Sequence, residues 1–124
     1  MMRFVGLAML AMSLVLMAGV ENSGADMGKA PALQAAAGSK AEAHNKEGIE
    51  HYNQGHFDVA LKHFQAAAKD DPQSAEVHYN LALALDKTGD HKGATEHFKT
   101  AYDLGKSNPD IQNSDILKAH LKMK

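Results

Sequence analysis

The chain has 124 residues, room for one domain and no more. Thirteen basic and 15 acidic side chains leave a formal charge of -2, which gives no electrostatic footprint for nucleic acid. The absence of cysteine excludes disulfides, thiolate metal sites, haem attachment through a CxxCH pair and acylation of a lipoprotein cysteine.

Met1, Met2 and Arg3 make a short positive start, and residues 4–20 then carry no charge before Glu21. A charged start, an apolar stretch and then small residues is the layout of a secretory signal. Ser23, Gly24 and Ala25 put small side chains at both places that a signal peptidase inspects. The apolar stretch is also close to the shortest that spans a bilayer. Residues 1–25 are therefore expected to be a hydrophobic helix acting as a cleaved signal peptide or a membrane anchor. Either outcome exports the remainder, to the periplasm in a bacterium, with membrane contact only through residues 4–20 if they are kept.

Residues 26–38 are small and polar, with Gly28, Pro31, a run of alanines and Gly38. So few large apolar side chains predict a flexible tether, transiently helical at most over 32–37. Order is expected from Ser39, where Ser39 and Glu42 have the spacing of a capping box.

Beyond Ser39 the chain repeats itself at an offset of 34 residues. Ala41, Glu42 and His44 return as Ala75, Glu76 and His78; Gly55, Ala60 and His63 as Gly89, Ala94 and His97; Phe64 and Ala67 as Phe98 and Ala101. Matches concentrated at small and aromatic positions point to a structural repeat. Each unit predicts two helices, about 41–53 and 58–69, then 75–87 and 92–104, turned at Gly55 and Gly89. Ala60, Phe64, Ala67 and Ala68 share one helical face, as do Ala94, Phe98, Ala101 and Tyr102. Asn108 and Pro109 start a further helix, whose Ile116, Leu117 and Leu121 can cover the end of the stack. Lys118, Lys122 and Lys124 form a basic, solubilising end.

The units resemble the tetratricopeptide repeat, whose pattern is W-x2-L-G-x2-Y, A-x3-F and P. The first unit matches it through Gly48, Ala60, Phe64 and Pro72, and the second through Leu81, Ala82, Ala94 and Phe98. His44 and His78 stand where tryptophan is usual, Glu47 where leucine is, and Lys106 where proline is. The resemblance implies an all-α solenoid of two repeats, 41–74 and 75–108 within 39–108, with a capping helix and tail over 109–124. An array this short is below the usual three units, so self-association as a homodimer or support from a partner is expected.

The resemblance also implies a concave groove, lined by the first helix of each unit, that binds another protein or peptide. The matching positions are Asn45, Ile49, Tyr52, Asn53, Tyr79, Asn80, Leu83, Asp86 and Lys87. Spacings of three and four residues place Asn45, Ile49 and Tyr52 together, and likewise Tyr79, Leu83 and Asp86. The expected surface is a strip of Ile49, Tyr52, Tyr79 and Leu83 with polar flanks, suited to apolar anchors of a partner segment. The alternative is that Ile49 and Leu83 belong to the core.

Eight histidines raise the question of metal. No HxxxH or HExxH occurs, so any site would draw on several helices, and no metal ligand or cofactor is predicted. His44, His51 and His78 are expected to fill polar gaps between helices, with the other histidines exposed. No nucleophile elbow, phosphate loop or dinucleotide fingerprint is present, and Asp70 with Asp71 reads as a turn, so no catalytic residue is predicted. The reading is an exported adaptor, scaffold or assembly factor. The alternatives are a metal-binding or carrier protein using His44, His51 and His78, and a structural subunit of a membrane complex.

Overall fold

Two glycines at the same place in each repeat set the geometry of the chain. Gly55 and Gly89 have φ of 84° and 97°, a region that side-chain-bearing residues rarely enter. Just after each, a backbone N–H reaches back five residues: His56 donates to His51 O at 2.8 Å, and Asp90 to Leu85 O at 2.9 Å. The computed structural model describes residues 30–123, and all regular elements among them are helices. They are α1 (Glu42–Asn53), α2 (Phe57–Asp70), α3 (Ala75–Lys87) and α4 (His91–Leu104), followed by α5 (Pro109–Gln112) and α6 (Asp115–Leu121). The expected signal or anchor, 1–25, lies outside the described residues. Among the described residues no helix is long and apolar enough to cross a membrane.

Side chains fix most helix starts. Ser74 Oγ accepts from Val77 N–H at 3.3 Å, and Asp90 Oδ1 from Gly93 N–H at 2.8 Å, each satisfying a donor with no intrahelical partner. The capping box expected at Ser39 does not form. Ala41 stands at the cap position of α1 without a side-chain bond, and Ser39 Oγ is buried with no hydrogen-bond partner. Glu42 instead accepts from Gly38 N–H at 2.8 Å, holding the turn that precedes the helix.

The seam read from the repeat is present. Ala60, Phe64 and Ala67 on α2, and Ala94, Phe98 and Ala101 on α4, are fully buried. Burying each phenylalanine stabilises the fold by roughly 1.5–3 kcal/mol. Gly48 lets α1 sit directly on Phe64: a Cβ there would lie 2.5 Å from the ring. Contacts run α1 to α2, α2 to α3 and α3 to α4, with α3 also touching α1, the neighbour-to-neighbour order of a solenoid. As the middle helix, α3 buries Ala75, Val77 and every residue from Tyr79 to Leu85.

The expected single capping helix is two short ones. Asn108 Oδ1 accepts from Asp110 N–H at 2.9 Å, with Pro109 at the first helical position. The run ends after Gln112, whose side chain turns back to donate to Tyr102 O and Gly105 O at 3.0 and 2.8 Å. Ser114 Oγ then caps α6 through Leu117 N–H at 3.2 Å. Ile111 and Leu117 are fully buried, and α6 packs on α4.

Candidate partner-binding groove

The groove positions come from α1 and α3. Both helices supply a buried asparagine, Asn45 and Asn80, and an amide in such a place needs partners. Asn80 Nδ2 donates to Asn45 Oδ1 at 2.8 Å, joining the two helices. The remaining capacity goes to the chain's own residue 33. Leu33 N–H donates to Asn80 Oδ1 at 2.7 Å, while Leu33 O accepts from Asn80 Nδ2 at 2.7 Å and from Asn45 Nδ2 at 3.0 Å. One residue of a non-helical segment thus has its N–H and its C=O both held by side-chain amides.

This finding revises the tether reading for residues 30–38. Residues 31–36 form no helix, yet Leu33 is held by α1 and α3, and Ala35 packs on the buried cluster Ala41, Ala67 and Val77. Ala32, Leu33 and Ala35 are partly covered, while Pro31, Gln34 and Ala36 are exposed. The segment is a strap laid along the face that the sequence reading left open.

The nine predicted positions therefore divide. Ile49 and Leu83 are buried at 8% and 1% exposure and belong to the core, the alternative left open above. Tyr52 is fully buried with its ring edge-on to Phe57 at 5.4 Å. Tyr79 is buried, edge-on to Phe98, and its hydroxyl lies 2.7 Å from Ser114 Oγ. Burial pushes the Tyr79 hydroxyl above its ordinary pKa, with Asp110 and Asp115 adding to the rise and the Ser114 bond opposing it. All four residues of the expected strip, Ile49, Tyr52, Tyr79 and Leu83, are thus buried rather than open. Asn53 and Lys87 lie exposed at the rim, with Lys87 Nζ 5.6 Å from the centroid of the Phe57 ring. Asp86 is half-buried and meets His91 and His120.

The histidines form rows between paired helices. His51 stacks on His63 at 5.4 Å, His44 pairs with Asp70 at 2.8 Å, and His63 lies 3.3 Å from Glu47. In the second repeat His78 stacks on His97 at 5.2 Å, with their Nδ1 atoms 3.0 Å apart. His63, His97 and His120 are partly buried, where exposure was expected. Burial, and then the neighbouring His78, hold His97 below the usual histidine range, against weaker upward pulls from Glu96 and Asp90.

The sequence reading missed Leu33 and the meeting of Asp86 with His91 and His120. For Leu33 the available signal was that it is the one large apolar side chain between Asp26 and Gly38, apart from Met27. The model of one family, described as tetratricopeptide repeat, matches residues 45–109, just over half of the chain. No curated protein matches this sequence.

Proposed function

We propose a function from one premise: this chain belongs to the tetratricopeptide-repeat family. Repeats of this family generally mediate protein–protein interaction and are typically non-enzymatic modules. Our reading is an exported adaptor, scaffold or assembly factor that holds an extended segment of a partner protein against α1 and α3. The single observation that carries it is the grip of Asn45 and Asn80 on both backbone groups of Leu33. Contacts made only to the backbone do not depend on side-chain identity, so a partner's strand can replace the strap at the same two amides. Residues 31–36 then act as a place-holder that a partner displaces.

Export rests on the sequence alone, through the charged start, the apolar stretch 4–20 and the small residues that follow. A periplasmic protein, free or held at the inner membrane by that stretch, is the compartment it favours. Two repeats are fewer than such arrays usually need, which favours support from a partner or from a second copy.

The strap makes the groove testable with the full chain. Leu33→Pro removes the N–H that Asn80 receives, and so loosens the place-holder without touching the helices. Extended peptides selected from a displayed library should bind the Leu33→Pro chain more tightly than the parent, and lose binding on a further Asn80→Ala change. Selected peptides that bind equally well after Asn45→Ala and Asn80→Ala would place the interaction elsewhere.

A further inference from the structure

Three donors from three helices meet at the α3–α4 turn. Asp86 lies in the last turn of α3, His91 opens α4 and His120 lies in α6. His91 Nδ1 is 2.6 Å and His120 Nε2 2.9 Å from the same atom, Asp86 Oδ1. One ligand atom from each residue falls within 4.8 Å of the other two, and among the described residues no other group of three His, Asp or Glu side chains is gathered this closely.

The hydrogen bonds around His120 decide how its ring is set. Thr95 Oγ1 donates its one proton to His91 O at 3.0 Å, so towards His120 Nδ1, 2.8 Å away, it can only accept. His120 therefore carries a proton on Nδ1 and turns its Nε2 to the Asp86 carboxylate. At 2.9 Å these two atoms need a positive charge between them, which a second proton on the ring or a metal ion supplies. A histidine whose far nitrogen is tied to an oxygen, with its other nitrogen beside a carboxylate and a second imidazole, is arranged as metal ligands are.

We propose that Asp86, His91 and His120 bind a borderline divalent transition-metal ion, with zinc the best match. Two imidazoles and one carboxylate suit zinc, cobalt, nickel or copper better than magnesium or calcium, which take oxygen sets. Ligand atoms about a tetrahedral zinc stand ~3.3 Å apart, so the Asp86–histidine gaps need only open by ~0.5 Å. The His91 side chain is 70% exposed against 20% for Asp86 and 15% for His120, which lets the ion arrive from solvent and keep water in a fourth position. Thr95 is a positioning residue acting through His120. The bound ion ties α6 to the α3–α4 turn and so fastens the C-terminal cover of the array.

The test is calorimetric titration of zinc chloride into the full chain, stripped of metal beforehand. The expected result is one site per chain, weakened at least tenfold by His91→Ala and by Asp86→Asn, and unaffected by His63→Ala. His91 is mostly exposed, so its loss leaves the fold intact, whereas His120 packs 5.0 Å from the Phe98 ring and is the poorer choice. Thr95→Val should weaken binding about tenfold, and Thr95→Ser should restore it. Cobalt(II) in place of zinc should give tetrahedral absorption bands in the parent and none in His91→Ala. Zinc affinity unaltered by His91→Ala and Asp86→Asn, or lost only with His51 and His63, overturns the proposal.

Discussion

His78 and His97 show how far one proton can be followed at the scale of a residue. Pro72 O can only accept, so His78 Nε2, 2.8 Å away, donates to it and leaves Nδ1 as the acceptor for His97 Nδ1–H. His97 is held below its ordinary value by burial first and by His78 second. The unfolded chain therefore takes up the proton before the folded one as pH falls. Its contribution to stability is complete above about pH 6.5, the ordinary histidine value, and is lost as pH falls through the depressed folded value. Urea-unfolding free energies measured down from pH 7 should fall, and His97→Gln should make that fall shallower. An identical slope in the variant would remove His97 from the account. Gly48 carries a second expectation. A methyl there lands 2.5 Å from the buried Phe64 ring, so Gly48→Ala should cost ~1–3 kcal/mol. In a thermal melt that is a drop of roughly 4–8 °C for each kcal/mol in a domain of this size.

At the scale of the element, helices and strap differ in how much of them is legible. The bounds of α1 to α4 fall within about a residue of those read from the repeat, because periodicity, Gly55, Gly89 and the 71–72 turn are local signals. The strap has no such signal. What orders it is two amides, 12 and 47 residues away from Leu33 in sequence, that complete their hydrogen bonds on its backbone. A composition rule for small, apolar-poor stretches cannot register that. The break between α5 and α6 escaped for a related reason, since Ser114 is an unremarkable residue until its hydroxyl meets Leu117 N–H and the hydroxyl of Tyr79. The groove positions, carried over from the family, fell on the helices that hold the strap, but the resemblance implied an open face and could not show what covers it. Amide exchange tests the strap directly. Leu33 N–H should be protected in the parent chain and should exchange as in an unstructured peptide after Asn80→Ala. That change also strands a buried polar group on Asn45, a further cost of about 1–3 kcal/mol.

Across the whole molecule, two repeats have few internal interfaces, and the chain's own flanking segments add to them. The strap lies on α1 and α3, and Ile111 and Leu117, both fully buried, close the far side against α4. Each of those two side chains contributes roughly 1.5–3 kcal/mol, together a sizeable share of the ~5–15 kcal/mol that holds a domain folded. In a long solenoid the loss of an end unit is felt mainly by its neighbour. Here α3 touches α1, α2 and α4, so both helices of the first repeat lean on the second. Leu117→Ala should therefore cost about 2–5 kcal/mol and lower a single unfolding midpoint. It should also speed amide exchange in α1 by the same factor as in α4, although Leu117 sits on α6, which packs on α4. Faster exchange confined to α4 and α6 would mean that the repeats open separately.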